Sequence, residues 1–174
     1  MRPSVIEFVL KCSVNLPIAE PIYEFGSYQV PGHDGYANLR CCFPGKKYVG
    51  ADIRNGDGVD VIMDMCNTFI PDESVGTVLS LDTLEHVEYL RKAIDEMYRI
   101  LKPDGIIIIS SVMHCPIHDS HDYWRFTPEG FESLLNQFQT TYVKSAGNPR
   151  FPHTVLGVAC KGKPPEGLGR KVWS

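Results

Sequence analysis

Three short apolar runs in the first half of the chain each end on or beside a carboxylate: IYEFG carries Glu24, YVGAD ends at Asp52 and VIMD ends at Asp64. Strands that finish on acids in this way describe an open parallel sheet whose carboxyl ends border a ligand crevice. The middle of the chain has the matching alternation. Val75 to Leu81 reads as a strand, and Val87, Leu90, Ile94, Met97 and Leu101 then recur at spacings of three and four, one face of an amphipathic helix. On its other face Glu88 with Lys92 and Asp95 with Arg99 form favourable i,i+4 pairs, and Pro103-Asp104-Gly105 ends it. GIIIISSV, Gly105 to Val112, follows without any polar alternation, as a strand covered on both faces requires.

The remaining elements are weaker signals of the same kind. Ser4 with Glu7 three residues on reads as a capping box for a short helix from Val5 to about Lys11. Ile22 to Gly26 is the first strand, and a loop with Gly26, Pro31, Gly32 and Gly35 leads to a brief helix over Tyr36 to Cys42. Tyr48 to Ile53 and Val59 to Met63 are strands separated by RNGDG, too little chain for a crossover helix. Either the excursion is unusually tight or a helix has been trimmed away. Thr127 as cap with Pro128 at the first helical position opens a helix to about Asn136, and Thr140 to Ser145 and Thr154 to Cys160 supply two last strands. The domain therefore spans 21–161, after an N-terminal helical or extended segment, 1–20, and before a Gly-, Pro- and Lys-rich tail, 162–174, read as flexible.

A chain of 174 residues suits one domain and can bury a core without disulfide staples. Its net charge of -4 argues against a generally basic nucleic-acid surface. The six cysteines include no CxxC pair and read as free thiols of a reducing cytosol. Glu7 interrupts the first apolar stretch, so no export signal is read, and no run approaches the roughly 18 apolar residues of a membrane span.

In a doubly wound α/β sheet an acid ending the second strand can accept from both ribose hydroxyls. Asp52 has that place. Asp64, at the end of the third strand, could accept from an adenine amine, and Glu24 could face an ammonium group. With VGTVLSLDTLEHVEYLRKAIDEMYRILKPDGIIIISSV and the later HDYWRFTPEGFESLL, the chain resembles the class I S-adenosylmethionine-dependent methyltransferases, specifically the type 11 family, over roughly Ile22 to Leu135. That resemblance implies a Rossmann-like, mostly parallel seven-stranded sheet with trimmed helices and an antiparallel last strand, and S-adenosylmethionine as cofactor. It places Glu24, Gly26 and Ser27 in the first motif, at the methionine end. Asp52 falls on the ribose acid with Ile53 beside the adenine, Asp64 and Met65 fall on the adenine-edge motif, and Leu81 and Asp82 line the crevice. The first motif departs from the family's acid followed by G-x-G-x-G: in EFGSYQVPG, Ser27-Tyr28-Gln29 replace the small part of the turn. Gly32 or Gly35 then serves as the close-approach residue, or the pocket has lost its ligand.

Methyl transfer requires above all that the acceptor be desolvated and aimed, so a base is optional. The candidate bases are His118 and His121 after the fifth strand and His86 after the fourth, the last with a structural alternative. His114, Tyr123, Trp124 and Arg125 are candidate pocket residues, Arg125 either neutralising an acidic substrate or pairing with Glu129. Cys115, His118, His121 and Asp122 match no usual zinc spacing, so no metal is expected. The acceptor classes left are small molecules and glycans, through a hydroxyl, amine or thiol. Nucleic acid and membrane are disfavoured, and the residues do not decide between monomer and homodimer. The competing class is a degenerate fold that only binds or partners.

Overall fold

The computed structural model describes residues 1–32, 38–166 and 168–173. β1 (Ile22–Phe25), β2 (Tyr48–Asp52), β3 (Val61–Ile62), β4 (Val75–Leu81), β5 (Leu101–Val112), β6 (Thr140–Asn148) and β7 (Phe151–Cys160) form one sheet in the order β3-β2-β1-β4-β5-β7-β6. The pairs β1–β2, β1–β4, β2–β3 and β4–β5 are parallel, while β7 runs antiparallel to β5 and to β6. This is the seven-stranded, mostly parallel arrangement the sequence implies. Because the chain leaves β1 on one side for β2 and returns on the other for β4, a switch point opens where their carboxyl ends diverge.

Side-chain alternation decides which helix covers which face. Ile107 and Ile109 of β5 join the cluster built by α2 (Leu90–Ile100) and α3 (Pro128–Leu134). Ile106 and Ile108 join the opposite one, built by α1 (Pro3–Asn15) and α4 (Leu168–Trp173). All four isoleucines are at most 1% exposed. Each such burial contributes roughly 1.5–3 kcal/mol, so β5 is the mechanical spine of the domain.

Differences from the sequence reading lie at element ends. Pro3, with its preset φ, starts α1 ahead of Ser4; the N-cap is Arg2, and the Ser4 hydroxyl is buried without a partner, so no capping box forms. Of the segment expected as a helix, Tyr36 to Cys42, the described residues form a 3-10 turn, Leu39–Cys42, with Asn38 Oδ1 accepting from Arg40 N; residues 33–37 lie outside the described residues. Val87 stays out of α2 because Leu84–His86 makes its own 3-10 turn, and Leu101 leaves it to pair with Val75 as the first residue of β5. Arg99 bonds to Glu96, Asp72 and the Ile70 carbonyl rather than Asp95, clamping the loop before β4 and holding the Glu96 carboxyl down at about 2.

Between β2 and β3 the chain makes the tight excursion. Asp60 Oδ2 accepts from Gly50 N at 2.8 Å and from Arg40 at 2.5 Å, and Gly58 at φ +85 turns the backbone, so β3 keeps only two paired residues. At the other end, within the tail 162–174, residues Leu168–Trp173 form α4. Leu168 and Val172 are 2% exposed, and Trp173 stacks on Phe8 of α1 with ring centroids 5.3 Å apart. Among the described residues no helix is long and apolar enough to cross a membrane.

Candidate functional site

A cleft of about 1180 Å³ runs along the carboxyl ends of β1, β2, β4 and β5, at the switch point. Its floor is closed by a contact only glycine permits. Gly26, the residue after β1, has φ +86, and a Cβ there would stand 2.0 Å from Thr83 Oγ1. Thr83 Oγ1 in turn lies within donating distance of the Leu81 carbonyl at 3.0 Å and the Phe25 carbonyl at 3.4 Å, and the second contact ties the turn after β4 to the end of β1.

Asp52 ends β2 with its side chain 4% exposed. Its Oδ1 accepts from Arg54 N at 2.9 Å and Arg54 Nε at 3.2 Å, and its Oδ2 lies 3.4 Å from Tyr28 N. The Arg54 guanidinium sits 4.3 Å over the Tyr28 ring, which also lies against Gly56, where a Cβ would come within 2.4 Å. The bulky part of the first turn is thus laid on the β2–β3 loop beside the carboxylate. Asp64 lines the cleft further along and turns the chain by accepting from Cys66 N at 2.8 Å. Met65 is buried beside it, while Ile53 is an apolar rim residue, 71% exposed. Asp82 has φ +48, a left-handed conformation that costs a non-glycine residue about 1–3 kcal/mol. It is held by Ser110, whose backbone carbonyl and hydroxyl both accept from Asp82 N and whose hydroxyl donates to Oδ1 at 2.7 Å.

The far wall is made by the 3-10 turn after β4 and the loop after β5. Glu85 is 1% exposed, accepts from Ser111 Oγ at 2.5 Å, and its carboxyl is pushed above the usual range by burial. The Glu85 carbonyl accepts from Tyr123 N at 2.8 Å, pinning the loop to the turn. His86 Nδ1 is 2.7 Å from the His121 carbonyl, and His118 Nδ1 is 3.1 Å from Asp122 Oδ2. Arg125 holds the Asp122 carboxyl well below the usual carboxylate range. The two imidazoles of His86 and His118 meet edge to face, centroids 4.9 Å apart.

Of the residues expected from sequence, Gly26, Asp52, Ile53, Asp64, Met65, Asp82, His86, His118, His121 and Tyr123 line the cleft. The others do not. Glu24 shares the parity of Ile22, on the α1 face of the sheet, where it is 5% exposed and accepts from Tyr48 Oη at 2.7 Å. Burial there lifts its carboxyl to about 7. Ser27 and Leu81 are buried away from the lining. His114 stacks on Phe151, with centroids 3.8 Å apart, beside a separate small groove. Trp124 Nε1 donates to the Val87 carbonyl at 2.9 Å, a tie between loop and turn. Arg125 pairs with Asp122 and three loop carbonyls, neither with Glu129 nor into the cleft. The set Cys115, His118, His121 and Asp122 does not converge on one point; Glu85, His86 and His118 do, with one donor atom of each within 4.8 Å of the others. Tyr28, Arg54, Thr83 and Glu85 line the cleft without having been singled out as site residues from sequence. Glu85, inside LEH, carries no signal in residue type or spacing that separates it from a solvent-facing loop acid; its burial comes from Ser111 and the loop after β5.

Residues 37–109 match the family described as a methyltransferase domain. No curated protein matches the chain in sequence. Among solved structures, a SAM-dependent methyltransferase from Archaeoglobus fulgidus superposes with a TM-score of 0.69 at 14% identity, over 91% of this chain and 94% of that one. The phosphoethanolamine N-methyltransferase 2 of Haemonchus contortus, in complex with S-adenosyl-L-methionine, gives 0.69 at 16% identity over 92% of this chain and 53% of its own. A chain from the complex of the Haloferax volcanii Trm112 methyltransferase activator with a methyltransferase gives 0.67 at 15% identity over 92% and 91%. The fold is that of the class I methyltransferases, as the sequence motifs imply.

Proposed function

We propose that this chain is a methyltransferase that binds S-adenosylmethionine in the cleft and methylates a small-molecule or glycan acceptor. The observation that carries the reading is the register of acids along one edge: Asp52, Asp64 and Asp82 at successive strand ends, around a Gly26 turn, line a cleft roomy enough for a nucleoside and an acceptor. Bound there, the cofactor supplies an electrophilic methyl carbon on a sulfonium. Asp52 is placed to accept from ribose hydroxyls, Asp64 from the adenine amine and Asp82 from the ammonium group. The acceptor then enters from the wall made by His86, His118, His121 and Tyr123. His118, with Asp122 on Nδ1, presents Nε2 as the base that takes the proton when a hydroxyl attacks. The free thiols, Cys12, Cys41, Cys42, Cys66, Cys115 and Cys160, suit a reducing, cytoplasmic setting.

A second reading has its own support. Asp52 already receives bonds from Arg54 and Tyr28, so ribose must compete with the chain's own donors. A fold that kept this closure would serve as a non-catalytic binding or partner protein. Calorimetric titration with S-adenosylhomocysteine separates the two. Binding at one equivalent, weakened by Asp52→Asn, supports the enzyme; absence of heat at millimolar ligand supports the partner.

A further inference from the structure

At the acceptor wall the three groups that converge are of a kind that holds a transition metal. Two imidazoles and one carboxylate, with the remaining directions open to the cleft, are the donor set of catalytic divalent-cation sites. In this protein each of the three is also oriented by a partner that leaves a lone pair free. Backbone carbonyls and carboxylates only accept, so the contact of His86 Nδ1 with the His121 carbonyl places the proton on Nδ1 and leaves Nε2 as a donor to metal. The Pro116 carbonyl, 3.3 Å from Nδ1, does the same for His118. Ser111 occupies Oε2 of the buried Glu85 and leaves Oε1. Such outer partners are what metal-ligating histidines and carboxylates ordinarily have.

We propose that Glu85, His86 and His118 form a binding site for a divalent transition-metal cation, zinc in the first instance. One ligand atom of each residue lies within 4.8 Å of the others, and ligands around a tetrahedral zinc stand about 3.4 Å apart, so closing the site takes side-chain rotations that shift these atoms by roughly an ångström. His118 is 41% exposed at its side chain, which leaves the fourth position facing the cleft, where a water or an acceptor hydroxyl can bind. In that role, which rests on the methyltransferase reading above, the cation lowers the acceptor's pKa and takes over from His118 the task of making the oxygen nucleophilic. Zinc binding at Nε2 and base action by the same nitrogen exclude each other.

The test uses the whole protein with Co²⁺ and Zn²⁺ and no methyl donor, so its outcome is independent of whether S-adenosylmethionine binds. One equivalent of Co²⁺ should raise a visible d–d band that Zn²⁺ abolishes. His86→Ala and His118→Ala should each weaken binding by about tenfold or more, while substitution of His153, which lies on β7 outside the cleft lining, should leave it unchanged. Histidine ¹⁵N spectra of the unmodified protein provide a readout that no misfolded variant can confuse: on adding Zn²⁺, Nε2 of two of the six imidazoles should shift together. A Co²⁺ titration with no band, a band indifferent to both histidine variants, or ¹⁵N shifts at histidines other than this pair would overturn the proposal.

Discussion

The two halves of the cleft are prepared in opposite ways. On the β2 side the key acid is saturated by its own chain: Asp52 faces Arg54 and Tyr28, and Arg54 lies on the Tyr28 ring. On the β4–β5 side the polar groups are aimed by partners behind them, His86 and His118 by backbone carbonyls and Glu85 by Ser111, with lone pairs left toward the cleft. One half must release something before it can bind; the other is preorganised. Affinity for a nucleoside therefore contains a competition that affinity for a cation or an acceptor does not.

The largest effect should come at the joint between the halves. Gly26→Ala puts a methyl group into Thr83 at a positive φ and should lower folding stability by about 3–5 kcal/mol, read by denaturant unfolding. The double variant with Thr83→Ser should recover part of the steric loss and none of the conformational cost.

Beneath the β2 side, the Glu24 carboxyl titrates at about 7 when folded against an ordinary value of 4.5. Between those values the folded protein holds a proton the unfolded chain has released, so stability falls as pH rises through this window and is unaffected below it. Glu24→Gln keeps an acceptor for Tyr48 and should flatten that slope, a difference of about 3 kcal/mol by pH 7 and above in unfolding measured across the range. An unchanged pH profile would mean that Glu24 is hydrated in solution.

Within the cleft itself, Asp52→Asn should cost about 2 kcal/mol of S-adenosylhomocysteine affinity by calorimetry, through lost charge-assisted bonds to ribose. Arg54→Ala should act in the other direction and more weakly, tightening the same ligand by about 1 kcal/mol as it removes the Nε bond and leaves Asp52 Oδ1 held by the backbone N of residue 54 alone. If Arg54→Ala instead weakens binding, Arg54 is a ligand contact and the contrast between the halves disappears.

The strands were legible because apolar runs bounded by turns carry their own period; β4 has the very limits that VGTVLSL suggests. The acids at the ends of β2 and β4 were legible for the same reason. Glu24 misled because its position, one residue inside β1, puts it on the opposite face from the cleft, a matter of parity rather than of residue type. His114 and Arg125 misled because a loop's direction is set by contacts made elsewhere, here Phe151 and Asp122. The metal-type cluster escaped a search by spacing since Glu85 and His86 meet His118 only when β4 and β5 lie side by side. Nor could LGRKVW announce α4: three apolar residues on one short segment mean little until α1 supplies the surface they cover.

That last contact sets the order in which the domain can be finished during synthesis. The apolar side of α1 emerges before the sheet does, yet Phe8 is not covered by Trp173 until every strand between them has been made, so the growing chain carries an unsealed patch throughout that interval. A substitution that keeps residues 168–173 from docking would hold it in that sticky condition, and loss of yield rather than loss of activity would be the first symptom.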